Sequence, residues 1–272
     1  MREPSGKDQR MPRVQAGEIM MHYEVYGNGP PLVLLMGLGC PGSLWWLQVA
    51  AFAEHYCVIV PDNRGVGQTD KPVGEYSTAM MADDTAHLLT TLGIPRAHIL
   101  GMSMGGAIAQ QVALRHPAMV DHLILACTFC QTSPYGEETF AVWRLVATSA
   151  GMETLSRLLL WQSVTPRFYS AHPDRVTKLG ELFTAHPQPL DAYLCQNDAC
   201  AHHHTTDHLP RIQAPTLVLA PERDILTPVG SVKLIHQQIL GSCFAILPRS
   251  GHGFMWEIPE QFNAAVLEFL GA

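Results

Sequence analysis

The sequence has little charge and no long apolar run. Only 15% of its 272 residues are charged, with Lys plus Arg at 17 against Asp plus Glu at 24, a formal net charge of −7. A chain of that sign carries no basic footprint for nucleic acid or for an anionic membrane surface, so neither is expected as a partner. No stretch approaches the roughly 20 apolar residues that span a bilayer. The opening residues, MREPSGKDQRMPRVQAGE, hold no apolar run of signal-peptide length. The expectation is a cytoplasmic protein. Disulfides are not expected either. The seven cysteines are odd in number and scattered, and several sit in apolar runs, as Cys57 does before Val58-Ile59-Val60. Such residues read as small reduced hydrophobes. Internal repeats and low-complexity segments are missing. Gly101 to Gly106 does not make the dinucleotide pattern G-x-G-x-x-G, because position 103 is Ser. With no haem, flavin or nicotinamide motif, no cofactor is expected.

What is present is apolar content, at 47%, in short runs that alternate with helical patterns. EIMMHYEVY (18–26) reads as an antiparallel edge strand. PLVLLM (31–36), CVIV (57–60), AHILGM (97–102), VDHLILAC (120–127), TLVLA (216–220) and CFAIL (243–247) read as strands. Continuous apolar runs of this length fit a parallel sheet covered on both faces. Helices are expected at 44–55, 78–92, 104–116, 229–240 and 260–270. Between 128 and 208 the alternation stops, and only helical patches remain, at 138–150, 152–160, 174–185 and 190–201. The reading is an α/β core (14–128 and 209–272) interrupted by a helical cap (129–208), after a loose polar leader (1–13).

The strongest chemical signal is Gly101-Met102-Ser103-Met104-Gly105, followed by Gly106. It closes an expected strand and opens an expected helix, the context that G-x-S-x-G requires. Small residues two positions either side of Ser103 let strand and helix approach closely, and the helix N-terminus favours an anion there. A serine nucleophile needs a base, and the base needs an orienting acid. His252, between Gly251 and Gly253, follows the last expected strand. Asp224 follows strand 216–220, and Glu222 is its rival. The segment after Cys127, ACTFCQTS (126–133), has no carboxylate. The chain order Ser103, Asp224, His252 is that of this architecture. Two backbone N–H groups complete the set as an oxyanion hole, from Met104 and from Leu38 in the Gly-rich loop after strand 31–36.

Taken together, these motifs resemble those of the α/β-hydrolases from about residue 18 to the end. The Gly-rich loop, Asp62-Asn63-Arg64-Gly65-Val66-Gly67, Gly-Met-Ser-Met-Gly-Gly, the Asp224 loop and Gly-His-Gly fall in the family's order. The loop Met36-Gly37-Leu38-Gly39 to Trp45 is similar to that of enol-lactonase-like and aminoacrylate-hydrolase-like members. The family's more common His-Gly is here Met36-Gly37. The resemblance implies a mostly parallel, doubly wound sheet with a helical cap inserted after the sixth strand. It implies a triad of Ser103, Asp224 and His252, a structural turn at Asp62 to Gly67, and no catalytic role for Arg64. A serine at the elbow excludes the alkyl-ester chemistry of relatives that use Asp there.

The expected activity is therefore cleavage of a small carboxylic ester or lactone through an acyl-enzyme. Carbon–carbon hydrolysis of a ring-fission diketone is the alternative with the same triad; polar and cationic groups for a dienoate carboxylate would mark it, and the cap sequence does not decide between the two. A perhydrolase side activity and a slow-turnover ligand receptor are further alternatives. Trp45, Phe129 and Trp161 are the candidate substrate contacts, with most cap aromatics expected to pack internally. His202, His203, His204 and His208 are read as a polar hinge rather than a metal site, and Cys127-Thr-Phe-Cys130 as no redox motif. No metal is expected, and the protein is expected to be a monomer or homodimer.

Overall fold

The computed structural model describes residues 12–272, so all but the end of the expected leader lies outside the described residues. The strands are β1 (Arg13–Ala16), β2 (Ile19–Tyr26), β3 (Pro31–Leu35), β4 (Cys57–Pro61), β5 (Ala97–Met102), β6 (Val120–Ala126), β7 (Thr216–Pro221) and β8 (Cys243–Leu247). They form one sheet in the order β1-β2-β4-β3-β5-β6-β7-β8. β1 and β2 are antiparallel, as are β2 and β4. Every pair from β4 to β8 is parallel. The central runs are buried throughout, as in β5 and β7, which is why they carry continuous apolar residues rather than alternation. β1 was not expected, because four residues are too few to show a period. Its partner β2 specifies it, through the tight turn at Gly17, where φ is +59°.

The core helices are α1 (Trp46–Phe52), α2 (Thr78–Thr91), α3 (Met104–Arg115), α8 (Val229–Gln238), α9 (Phe254–Glu257) and α10 (Pro259–Leu270). The expected helix 44–55 is shorter, because residues Gly42–Trp45 form a 3₁₀ turn ahead of it. α2 starts where Ser77 accepts a hydrogen bond from Met80 N, the N-cap pattern.

Between β6 and β7 stand α4 (Pro134–Ser163), α5 (Pro166–Ala171), α6 (Pro173–Thr184) and α7 (Leu190–Ala201). α4 is broken at Gly151, with φ 83° and ψ 165°, between the two helices expected there. α5 was not foreseen. Thr165 caps it by accepting from Phe168 N, and Pro166 opens it. The base of this helical segment is tied to the loop after β6 and to α3. Thr205 N donates to Cys130 O at 2.7 Å, and the buried Thr205 hydroxyl donates to Gln110 Oε1 at 2.6 Å. Among the described residues no helix is long and apolar enough to cross a membrane.

Candidate active site

Among the described residues three non-glycines have positive φ: Ser103 (56°), Cys127 (38°) and Arg249 (60°). They follow the carboxyl ends of β5, β6 and β8. Backbone in this region is unfavourable for L-residues and gathers where the surroundings enforce it. The enforcement is visible at the glycines around Ser103. A Cβ on Gly101 would stand 2.2 Å from Gly105 O, and one on Gly105 would stand 2.0 Å from Leu35 O. One on Gly106 would meet the Thr128 side chain at 2.5 Å. Ser103 is held by donating its N–H to Ala126 O at 3.0 Å and accepting at its carbonyl from Thr128 Oγ1 at 2.6 Å.

His252 and Asp224 meet in the interior. His252 Nδ1 lies 2.8 Å from Asp224 Oδ2, and the Asp224 side chain has no exposed surface. Asp224 Oδ1 accepts from Leu226 N at 2.7 Å and Thr227 N at 3.0 Å. Oδ2 also accepts from Thr227 Oγ1 at 2.7 Å. Both carboxylate oxygens are engaged, so the side chain is fixed in orientation. Burial disfavours a charged His252 ring, but the Asp224 carboxylate, with the Cys127 sulfur, outweighs it and holds the imidazole well above its ordinary range. Cys127 Sγ lies within 4.8 Å of both partners. Glu222 goes elsewhere: its half-exposed carboxylate accepts from Arg249 N at 2.7 Å. The structure thus brings Asp224, not Glu222, to His252.

Ser103 stands between two cavity lobes. The larger, of about 530 Å³ counting space open to solvent, is lined by Phe129, Gln131, Thr132, Phe140, Trp143 and Thr227 among others. The smaller, of about 360 Å³, contains Gly37, Met102, Leu159, Phe183, Trp256 and His252. Leu38, Trp143 and Leu226 line both lobes with Ser103. Among the described residues, His252 is the only His, Lys, Arg, Asp or Glu that lines either lobe. Met104 opens α3, so its N–H has no intrahelical partner. No backbone hydrogen bond engages Leu38 N–H among the described residues.

Two of the expected substrate contacts do not reach this cavity. Trp45 has no exposed surface and packs on Phe262, with ring centroids 6.3 Å apart. It lies in the core because the Gly42–Trp45 turn directs it beneath the loop. Trp161 is 61% exposed and lies with Arg167, Tyr169 and Ile225 on the outer face. Phe129 lines the larger lobe. Arg64 is bound bidentately by Asp84, at 2.8 and 2.6 Å. Asp62 accepts from Gly42 N at 2.7 Å and Gln68 N at 2.8 Å. A Cβ on Gly67 would fall 2.1 Å from that carboxylate. The histidines of 202–208 part company. His203 is buried against Thr78 Oγ1 at 2.8 Å, and His202 Nδ1 faces Asp198 O at 2.8 Å. Burial takes His203 down to about 3.

Further residues position the site, Asn63 from within the Asp62-to-Gly67 turn, Gln196 and Glu257 with no sequence signal. Asn63 Nδ2 donates to Met36 O at 2.9 Å, behind the Leu38 loop. Gln196 on α7 accepts from Gly39 N at 3.0 Å and donates to Arg64 O at 2.6 Å. Glu257 accepts from Gly251 N at 2.9 Å and Thr165 N at 3.0 Å, fastening the His252 loop to the base of α5. Thr227 was readable in principle, as a hydroxyl three residues after an Asp in a turn.

The sequence profile of the α/β-hydrolase fold matches residues 30–259. A RutD protein of Azorhizobium caulinodans, named as a carbamate hydrolase, is 26% identical over 96% of this chain and 98% of its own. The enol-lactonase of Burkholderia xenovorans LB400 superposes with a TM-score of 0.89 at 26% identity, over 96% of this chain and 100% of that one. CumD, a meta-cleavage product hydrolase of Pseudomonas fluorescens IP01, superposes at 0.82 with 25% identity, over 96% and 97%. With its parallel sheet, its serine elbow and hydrolases among its relatives, the chain belongs to the α/β-hydrolase fold family.

Proposed function

We propose that this protein is a serine hydrolase of small, uncharged carboxylic esters or lactones. The carrying observation is the buried Asp224–His252 contact of 2.8 Å beside a two-lobed cavity that holds Ser103 and is lined by no Lys, Arg, Asp or Glu among the described residues. Ser103 Oγ attacks the carbonyl carbon while His252 Nε2 takes its proton. Asp224 keeps the ring proton on Nδ1 and stabilises the imidazolium. The N–H groups of Leu38 and Met104 hold the oxyanion, each worth about 3–4 kcal/mol in the transition state. His252 then protonates the leaving oxygen, and a water that it deprotonates releases the acid. One lobe takes the acyl chain and the other the alcohol, or a lactone spans both.

An uncharged substrate follows from the lining. A carboxylate buried without a cation carries a heavy desolvation cost, which argues against the dienoate of a ring-fission diketone. The test is hydrolysis of p-nitrophenyl acetate and butyrate, γ-butyrolactone and a coloured dienolate by wild type and Ser103→Ala. Ester or lactone turnover that disappears in Ser103→Ala supports the reading. Turnover of the dienolate alone, or esterase activity that survives Ser103→Ala, overturns it.

A further inference from the structure

At the amino-terminal ends of β5 and β6, five residues before Ser103 along β5 and so about 16 Å from it, two histidines and a carboxylate converge. His98 Nδ1 lies 3.5 Å and His122 Nδ1 3.7 Å from Asp121 Oδ2. One ligand atom from each of the three residues lies within 4.8 Å of the other two, and the two rings meet edge-on with centroids 5.0 Å apart. Both Nδ1 atoms are buried with no hydrogen-bond partner among the described residues, and His98 is only 6% exposed. An imidazole next to a carboxylate ordinarily closes to a hydrogen bond of about 2.8 Å. Here neither does, and each buried nitrogen is left at a cost.

The backbone builds this convergence. Ala97 pairs with Val120 and Ile99 with Leu123, so Asp121 and His122 stand opposite the single residue His98. In a regular strand two successive side chains point to opposite faces. The bulge re-aims them so that both reach His98. Rings fix the orientation. His98 packs edge-on to Tyr56 at 5.6 Å, and His122 edge-on to Phe269 at 5.5 Å. Arg96 Nη2 holds the other carboxylate oxygen, Oδ1, at 3.1 Å, leaving Oδ2 toward the histidines.

We propose that His98, Asp121 and His122 bind a divalent transition-metal ion of the zinc class, through Nδ1, Oδ2 and Nδ1. Ligand bonds of about 2.1 Å in tetrahedral geometry put the ligand atoms about 3.4 Å apart, close to the two spacings observed. Two imidazoles and one carboxylate suit Zn²⁺, Co²⁺ or Ni²⁺. The fourth position goes to water, which enters where Asp121 is 38% exposed. The ion would join β5 to β6 at the end away from the reaction, and acts on stability rather than on chemistry.

The test uses the untagged full-length protein, stripped of metal and titrated with Co²⁺ by visible absorption. One equivalent should bind with tetrahedral d–d bands, no thiolate charge-transfer absorption, and displacement by Zn²⁺. Asp121→Asn and His122→Gln should weaken binding about 100-fold or more, and His204→Gln should not. Zn²⁺ should raise the melting midpoint of wild type and His204→Gln, and not that of Asp121→Asn or His122→Gln. Both altered side chains are partly exposed, at 38% and 30%, so folded variants are expected by circular dichroism. No binding by wild type, unchanged binding in both variants, loss in His204→Gln, or a thiolate band would each overturn the proposal.

Discussion

Asp224→Asn is the most informative single change at the site. The substitution is isosteric, so the turn should survive: Oδ1 can still accept from Leu226 N and Thr227 N, at 2.7 and 3.0 Å. The amide NH₂ then faces His252 Nδ1 and Thr227 Oγ1. A donor in that place makes Nδ1 an acceptor and moves the ring proton to Nε2, the atom that must take the proton of Ser103. The wrong tautomer lowers kcat by about 10⁴ in a serine triad, which at 1.36 kcal/mol per decade is about 5.4 kcal/mol. The pH profile should shift as well. In wild type His252 must lose a proton to act, and its value in the fold lies above 6.5. The acid limb of kcat/KM should therefore inflect above 6.5. In Asp224→Asn the raising charge is gone while burial remains, so that limb should move to lower pH. Linkage gives a second reading. The stabilisation from the charged pair is fully present below the unfolded value near 6.5 and is lost as pH rises through the folded value. Stopped-flow ester hydrolysis from pH 5 to 10, with circular dichroism to establish folding, checks all of this. A folded variant with kcat within about tenfold of wild type and an unmoved acid limb would refute the assigned roles.

Two further outcomes follow from the same geometry. Gly105→Ala should destabilise by about 3 kcal/mol in urea unfolding, because its Cβ would stand 2.0 Å from Leu35 O and 2.5 Å from Leu35 C, both backbone; a cost below about 1 kcal/mol would show that the elbow is looser than described. Phe129→Ala should raise KM or change the chain-length profile, since it opens the larger lobe, whereas Trp161→Ala, 61% exposed in wild type, should leave kinetics unchanged and stability within about 0.5 kcal/mol. A kinetic effect at Trp161 alone would reverse the assignment of the cavity.

The sequence already carried the parallel sheet, because strands buried on both faces must be continuously apolar and their crossovers must be amphipathic helices. It also carried Ser103, because a strained elbow between strand and helix needs small neighbours, although the groups that Gly105 and Gly106 must clear, Leu35 O and the Thr128 side chain, come from other elements. The His252 loop and the Asp224 turn were legible because each follows a strand end in a fixed order. Gly151 marked the break in α4, since only glycine readily adopts its φ of 83°. Other features had no local signature. β1 exists through its pairing with β2. Trp45 and Trp161 both look like pocket aromatics in one dimension, yet one is sealed in the core and the other faces solvent. Gln196 reaches from α7 to the Leu38 loop, and Glu257 joins the His252 loop to α5, across separations that no periodicity reports. His98 and His122 are brought together by a bulge that only strand pairing creates. The sequence by itself determined what the backbone needs locally: where strands run, where a turn must be glycine, and which side chain sits on the strained elbow. Tertiary structure decided which distant groups meet, that both lobes are lined without Lys, Arg, Asp or Glu among the described residues, and which aromatics touch the cavity, because these depend on packing between elements and not on the residues within any one of them.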